Sequence, residues 1–334
     1  MLDFIAFPLG KFLLFIYEHL AFLNYGLAII IFTVIIKIIL LPLNIKQYQS
    51  MARTQEVQPK LQEIQKRYKD DKEKLNQELM NFYKENNINP MGGCLPMLIQ
   101  MPILFSLYYV ISQPLKFMLS VGAPKASIME LVSGAHTSTI IKTIKDMFLN
   151  IDSKAYEAIG ITSKFNKPDD LTNFVNSRPL DIYVINYGHT NPSYLNNFKD
   201  AIDRSDLLNM NFFHLNLGLT PRWDIFSFMG TPIAGQYIAL LIIPVLAAFT
   251  TFLSIKYTSM TNASSSQGND MAQSMNKNML VMMPIMTGFF AFSTPAGLGV
   301  YWCVNNIIQI LQQMFMNKFI LKKKEEVAKK QNGV

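Results

Sequence analysis

The sequence predicts an all-α polytopic membrane protein: a five-span helical bundle with a cytoplasmic helical hairpin and an N-terminal interfacial amphipathic helix. Three observations lead there. Half of the 334 residues are hydrophobic and only 16% are charged, against about a quarter charged in ordinary soluble domains. Five apolar runs, at roughly 22–43, 92–116, 232–255, 279–294 and 297–320, contain no Asp or Glu. Basic residues collect between the first two runs and at the C-terminal end, as the positive-inside bias asks of cytoplasmic segments.

Residues 1–20 come first. Asp3, Lys11 and Glu18 fall within about 80° on a helix of 100° per residue. Phe4, Ile5, Phe12, Leu13 and Ile16 occupy much of the remainder, which suits a helix lying in the membrane interface. A sixth span is the alternative, weakened by Pro8–Leu9–Gly10. The same interruption, with no clean small-residue cleavage site after it, is unlike a cleaved signal peptide.

Residues 21–117 hold the first two spans and the polar stretch 44–90 between them. A bilayer-crossing helix needs about 20 apolar residues, which the first three runs supply. The stretch 44–90 carries nine Lys/Arg interleaved with seven acids. Leu61, Ile64 and Tyr68 recur at helical spacing, as do Leu75, Leu79 and Phe82. Asp70–Asp71 separates the two patterns and is placed to cap the second. A helical hairpin follows, ended by Asn89–Pro90 and Gly92–Gly93, and cytoplasmic by its charge.

Residues 118–231 are expected to form an extracytoplasmic, mainly helical insertion, near neutral with ten Lys/Arg and eleven Asp/Glu. Residues 232–321 carry the last three spans, joined by a flexible inner loop, "NASSSQGND" (Asn262–Asp270). The fourth run is short: about 16 residues at ~1.5 Å each span ~24 Å of a ~30 Å hydrocarbon core. Residues 322–334 form a basic tail, "KKKEEVAKK". With five spans it shares the hairpin's side, which puts the N-terminus outside.

One charge breaks the first run: Lys37 in "TVIIKIILLPL" (Thr33–Leu43). A lysine near a helix end can snorkel to the interface. Lys46 marks that interface, nine residues or ~13 Å away, so a ~6 Å side chain covers about half the gap. The other reading is a watery cavity facing the bundle interior. With no acid in any span, the available partners are uncharged: Thr33 one turn before Lys37, Gln100 in the second span, and Asn305, Asn306, Gln309, Gln312 and Gln313 in the fifth. Such amides commonly bond one span to another; five on one helix exceed that need. A hydrated groove with one fixed cation attracts anionic groups and needs no bond chemistry. Membrane carboxylates or a nucleophile–base pair, which proton-coupled transport or hydrolysis would require, are not visible. Cys94 and Cys303 both lie in apolar runs, and the four histidines are scattered, so neither a disulfide framework nor a metal or other cofactor is implied.

The stretch Asn24–Tyr109, with "NPMGGCLPMLIQMPI", and the stretch Met275–Gln313, with a proline–glycine turn before the last span, resemble the YidC-type membrane-protein insertases of the Oxa superfamily in their short five-span form. The resemblance implies a bacterial cell membrane location and a groove open to cytoplasm and lipid, with Lys37 where the family more often has arginine. It implies that the charge attracts the acidic tail of a client. The client's apolar segment then slides along the second and fourth spans, past Met279, Met282, Met283, Met286, Tyr301 and Trp302. The methionines also read as ordinary packing, and Trp302 as an interfacial belt residue. Implied partners are nascent membrane-protein clients, membrane lipids, and the Sec translocon and ribosome, with no specific nucleic-acid sequence. The departure from the family is an outer loop expanded at about 125–205. An anion channel or transporter built on Lys37 is the rival reading.

Overall fold

The computed structural model describes residues 3–69, 71–86, 95–119, 182, 185–186, 188–189, 207–221, 234–262 and 270–331. Asp70, the Asn89–Pro90 and Gly92–Gly93 hairpin end, Cys94, most of the 118–231 insertion and most of the loop after Asn262 lie outside the described residues. The helices are α1 (Asp3–His19), α2 (Tyr25–Ile39), α3 (Leu41–Glu56), α4 (Gln58–Arg67), α5 (Lys72–Glu85), α6 (Leu95–Ser112), α7 (Ala234–Leu240), α8 (Ile242–Asn262), α9 (Asp270–Phe292) and α10 (Ala296–Gln331). A single wide π-helical turn at Leu115–Leu119 follows α6, and β1 (Asn211–Phe212) pairs antiparallel with β2 (Leu215–Asn216).

Among the described residues, Tyr237–Thr258, running through α7 and α8, is long and apolar enough to cross a bilayer. The pair α2–α3 qualifies as a bent span, while Gln100–Ser112 and Leu280–Phe292 are shorter apolar helices. The apolar run at 22–43 is therefore not one straight helix. Phe22 and Leu23 lie in a turn, α2 stops at Ile39, and the chain bends by 56° before α3. Pro42 gives the reason: without an N–H it cannot bond the carbonyl four residues back, and its ring crowds that turn. The last helix continues into the basic tail as far as Gln331.

The chain divides into two compact units. One comprises Met1–Phe32, Pro102–Ala247 and Gly288–Tyr301. Here Ala6, Gly10, Leu13, Ile16 and Tyr17 form the buried stripe of α1. Gly10 lies so close to the Phe117 backbone that a Cβ would collide with it. Phe7 packs on Phe117 at 4.9 Å between ring centroids, and Lys116 pairs with Asp3 at 3.3 Å. The Asn24 side chain caps α2 by accepting from the Leu27 N–H at 2.9 Å. The first turn of α10 is capped by the segment after the hairpin: Ala296 N–H donates to Leu219 O and Gly297 N–H to Leu217 O, both at 2.8 Å.

The other unit comprises Thr33–Met101, Ala248–Thr287 and Trp302–Val334. Within it the polar stretch folds as α3 followed by the α4–α5 hairpin. Asp71 caps α5, its carboxylate accepting from the Lys74 N–H at 3.0 Å. The hairpin buries little: Leu61 is the buried position described on α4, and α5 has none.

Candidate functional site

In the second unit, Lys37, Asn44 and Gln312 meet where α2 breaks. Lys37 sits less than one turn before the break and is 8% exposed, and Thr33, one turn earlier, is 1% exposed. Among the described residues no carboxylate pairs with the lysine. A buried ammonium without a counter-charge is costly in an apolar medium, so this position needs water or a visiting anion. Ile38 and Ile39, just beyond it, are exposed at 61% and 63%, which suits contact with lipid.

Gln312 is the amide that reaches this place. Its Nε2 donates to the Lys37 carbonyl at 3.4 Å, and its Oε1 accepts from Asn44 Nδ2 at 3.5 Å. A long polar side chain thus ties α10 to both sides of the bend, using a carbonyl beside the place where Pro42 interrupts helical bonding. Asn305 is half-buried, and its Oδ1 is enclosed without a hydrogen-bond partner. Gln309 and, on α6, Gln100 are half-buried.

The other amides of the stripe serve differently. Asn306 Nδ2 donates to Thr251 Oγ1 at 2.8 Å and Thr250 Oγ1 at 3.3 Å. Gln313 Oε1 lies 2.7 Å from Thr258 Oγ1, which is itself 2.9 Å from the Ser254 carbonyl. One hydroxyl proton cannot fully serve both acceptors. Turning the Gln313 amide, so that Nε2 donates to Thr258 and Thr258 donates to Ser254, satisfies all three. These residues staple α10 to α8, the ordinary use of polar groups between spans. The sequence reading missed the threonines, although Thr250, Thr251, Ser254 and Thr258 recur at helical spacing and are visible as a hydroxyl stripe at the end of the third apolar run and just beyond it.

On α9, Met282 and Met286 are 65% and 46% exposed beside Val281 and Ile285, forming an apolar face, and Met283 is half-buried. The Met279 side chain lies outside the described residues. Tyr301 is 2% exposed and belongs to the core of the first unit, so it presents no open face; Trp302 is half-buried. Among the described residues no group of three His, Cys, Asp or Glu converges as a metal site.

Comparison with known proteins gives a consistent answer. The model of the 60Kd inner membrane protein family matches residues 15–172 and 194–324. A membrane protein insertase YidC from Clostridium perfringens is 58% identical over 87 residues, 26% of this chain and 37% of that protein. One from Clostridium tetani is 61% identical over 87 residues, 26% of this chain and 40% of the relative. One from Bradyrhizobium diazoefficiens is 28% identical over 295 residues, 88% of this chain and 33% of the relative. The aligned segments thus span well under half the length of these relatives. The chain belongs to the 60Kd inner membrane protein family, the YidC/Oxa group of bacterial membrane proteins.

Proposed function

We propose that this family member is a membrane-protein insertase and assembly chaperone that moves client segments from the cytoplasm into the bilayer without bond chemistry or cofactor. The observation that carries this reading is the burial of Lys37 beside a helix break, with the Gln312 amide on its backbone carbonyl and no acid among the described residues paired with it. A cation held in that way attracts an anion that arrives and leaves. The acidic tail of a client supplies one, and the Coulombic attraction is stronger at the low effective dielectric of a groove than in water. In this reading Thr33, Gln309, Gln312 and the unpartnered Asn305 Oδ1 line the path, and Gln100 on α6 is assigned to it as well. Asn306 contributes by holding α10 against α8.

The rest of the reading follows from the same placement. Five spans put the hairpin 44–90 and the basic tail in the cytoplasm and the N-terminus outside. The emerging apolar segment leaves along the α9 face of Met282, Met283 and Met286, where unbranched thioether side chains adapt to varied clients, with Trp302 at its edge. The α4–α5 hairpin, with its small buried surface, meets clients first. The tail helps hold ribosomes or anionic lipid, and the Sec translocon is a further partner in this reading.

The test is reconstitution of the purified chain into liposomes, with client insertion and anion flux measured side by side. Insertion without flux supports the reading. Flux without insertion would favour a channel or transporter built on Lys37. Protection of preformed spans without insertion would leave only the chaperone part.

A further inference from the structure

We propose that the turn Phe22–Leu23 and the hairpin tip Phe213–His214 together form an uncharged aromatic anchor that inserts into the lipid boundary on the side of the membrane where α2 begins. Among the described residues the two most exposed large hydrophobic side chains are Phe22, at 87%, and Phe213, at 82%. Leu20 and Leu23 add 45% and 55%. Isolated exposed apolar residues are ordinary; a cluster of this kind marks an interaction surface.

The backbone singles out the same residues. Phe22 and Leu23 have φ of 50° and 56°, and Phe213 and His214 have 47° and 63°. Both turns place bulky side chains in the left-handed region, where a two-residue hairpin turn in water favours Asn and Gly. Local backbone preference therefore does not explain why Phe22, Leu23 and Phe213 stand there; what their side chains project into can.

The two turns belong to one structure. Tyr17 ties them: its carbonyl accepts from the Leu23 N–H at 3.1 Å and its hydroxyl from the Asn209 N–H at 2.9 Å. The Phe212 ring lies against Gly26 so closely that a Cβ there would collide with it. Phe213 in turn packs edge-on to Phe212, with 4.6 Å between ring centroids. The hairpin tip is thus held beside the first turn of α2.

Charge and depth identify the occupant as lipid. No Lys, Arg, Asp or Glu occurs from Leu207 to Pro221 or from Leu20 to Ile36, although 118–231 as a whole holds ten basic and eleven acidic residues. A protein-docking patch carries a polar and commonly charged rim, whereas Asn209, Asn211 and Asn216 with aromatic neighbours match the boundary between headgroups and acyl chains. The turn ends one residue before α2 starts at Tyr25. If α2 enters the membrane as proposed above, on which this inference rests, the turn lies at that boundary by covalent connection alone.

The experiment places one reporter at the tip. Phe213→Trp is made in the full chain with Trp223 and Trp302 replaced by Phe, and reconstituted into phosphatidylcholine–phosphatidylglycerol vesicles with bromines either shallow or deep on the acyl chains. Phe22→Trp is a second, independent reporter. Phe249→Trp, on the exposed face of α8, reports whether the spans cross as read. At an anchoring depth of ~5–10 Å, both tip tryptophans lose roughly half their emission to shallow bromines and resist aqueous iodide, while Phe249→Trp responds to deep bromines. Iodide quenching of both tip reporters, with Phe249→Trp still quenched by deep bromines, overturns the anchor, leaves the spans standing and turns the patch over to a protein partner. Phe249→Trp untouched by either bromolipid refutes the spanning reading, and the anchor with it.

Discussion

Replacing Asn306 by leucine separates the two uses of the amide stripe. The substitution removes two hydrogen bonds from α10 to α8, to Thr250 at 3.3 Å and Thr251 at 2.8 Å. Side-chain bonds between membrane helices average about 0.6 kcal/mol and reach about 1.7, so two put the loss near 1 kcal/mol and below about 3.5 kcal/mol. The Thr250 and Thr251 hydroxyls can turn to carbonyls one helical turn back, which spares the full penalty of ~1–3 kcal/mol for an unsatisfied buried group. The assay is reversible unfolding in mixed detergent–SDS micelles, followed by circular dichroism. In a background already carrying Thr250→Val and Thr251→Val, the loss from Asn306→Leu should fall close to zero, because the partners are gone. An undiminished loss in that background would refute the staple. Client insertion should survive the single change, since Lys37 and Gln312 are untouched; its collapse at unchanged stability would return Asn306 to the groove.

Three further outcomes follow from the local geometry. Asp71→Ala removes the α5 cap and should cost about 1 kcal/mol, read as faster hydrogen exchange across 72–85 than in the wild type, with α8 unchanged. His214→Gly relieves a left-handed position, worth ~1–2 kcal/mol, against ~0.5–1 for the freer unfolded chain; a net gain of roughly 0.5–1 kcal/mol should raise the melting temperature in detergent. Gly10→Val drives a side chain into the Phe117 backbone and should detach α1, exposing a cysteine placed at Leu13 to water-soluble maleimide; unchanged protection would contradict that packing.

The sequence disclosed some of this site and hid the rest for identifiable reasons. Lys37 stood out because a cation within an apolar run breaks the pattern around it, and the α10 amides stood out in the same way. Asp71 was legible because a cap is a local device with a fixed spacing to the helix it starts. The bend after Lys37 was hidden although Pro42 was in plain view, since proline within a membrane helix is often tolerated and a hydropathy window averages across it. Which amides staple α10 to α8 was also hidden: Asn305 and Asn306 are adjacent, and which faces α8 depends on how α10 is rotated. The left-handed turns at Phe22 and Phe213 could not be read from turn chemistry, because the residues there oppose its rules; Phe22 was accordingly assigned to the span.

Insertion of one client with its own acidic tail, and with the tail acids neutralised, in vesicles holding the wild type or a Lys37 variant tests the charge mechanism most directly. Lys37→Arg should retain insertion, because the charge remains. Lys37→Ala should impair the acidic-tailed client and spare the neutral one, and Lys37→Glu should be worst, because repulsion replaces attraction in a medium of low dielectric. Equal loss for both tails under Lys37→Ala would reduce the lysine to a structural or hydrating role. Full activity of Lys37→Glu would contradict charge attraction altogether.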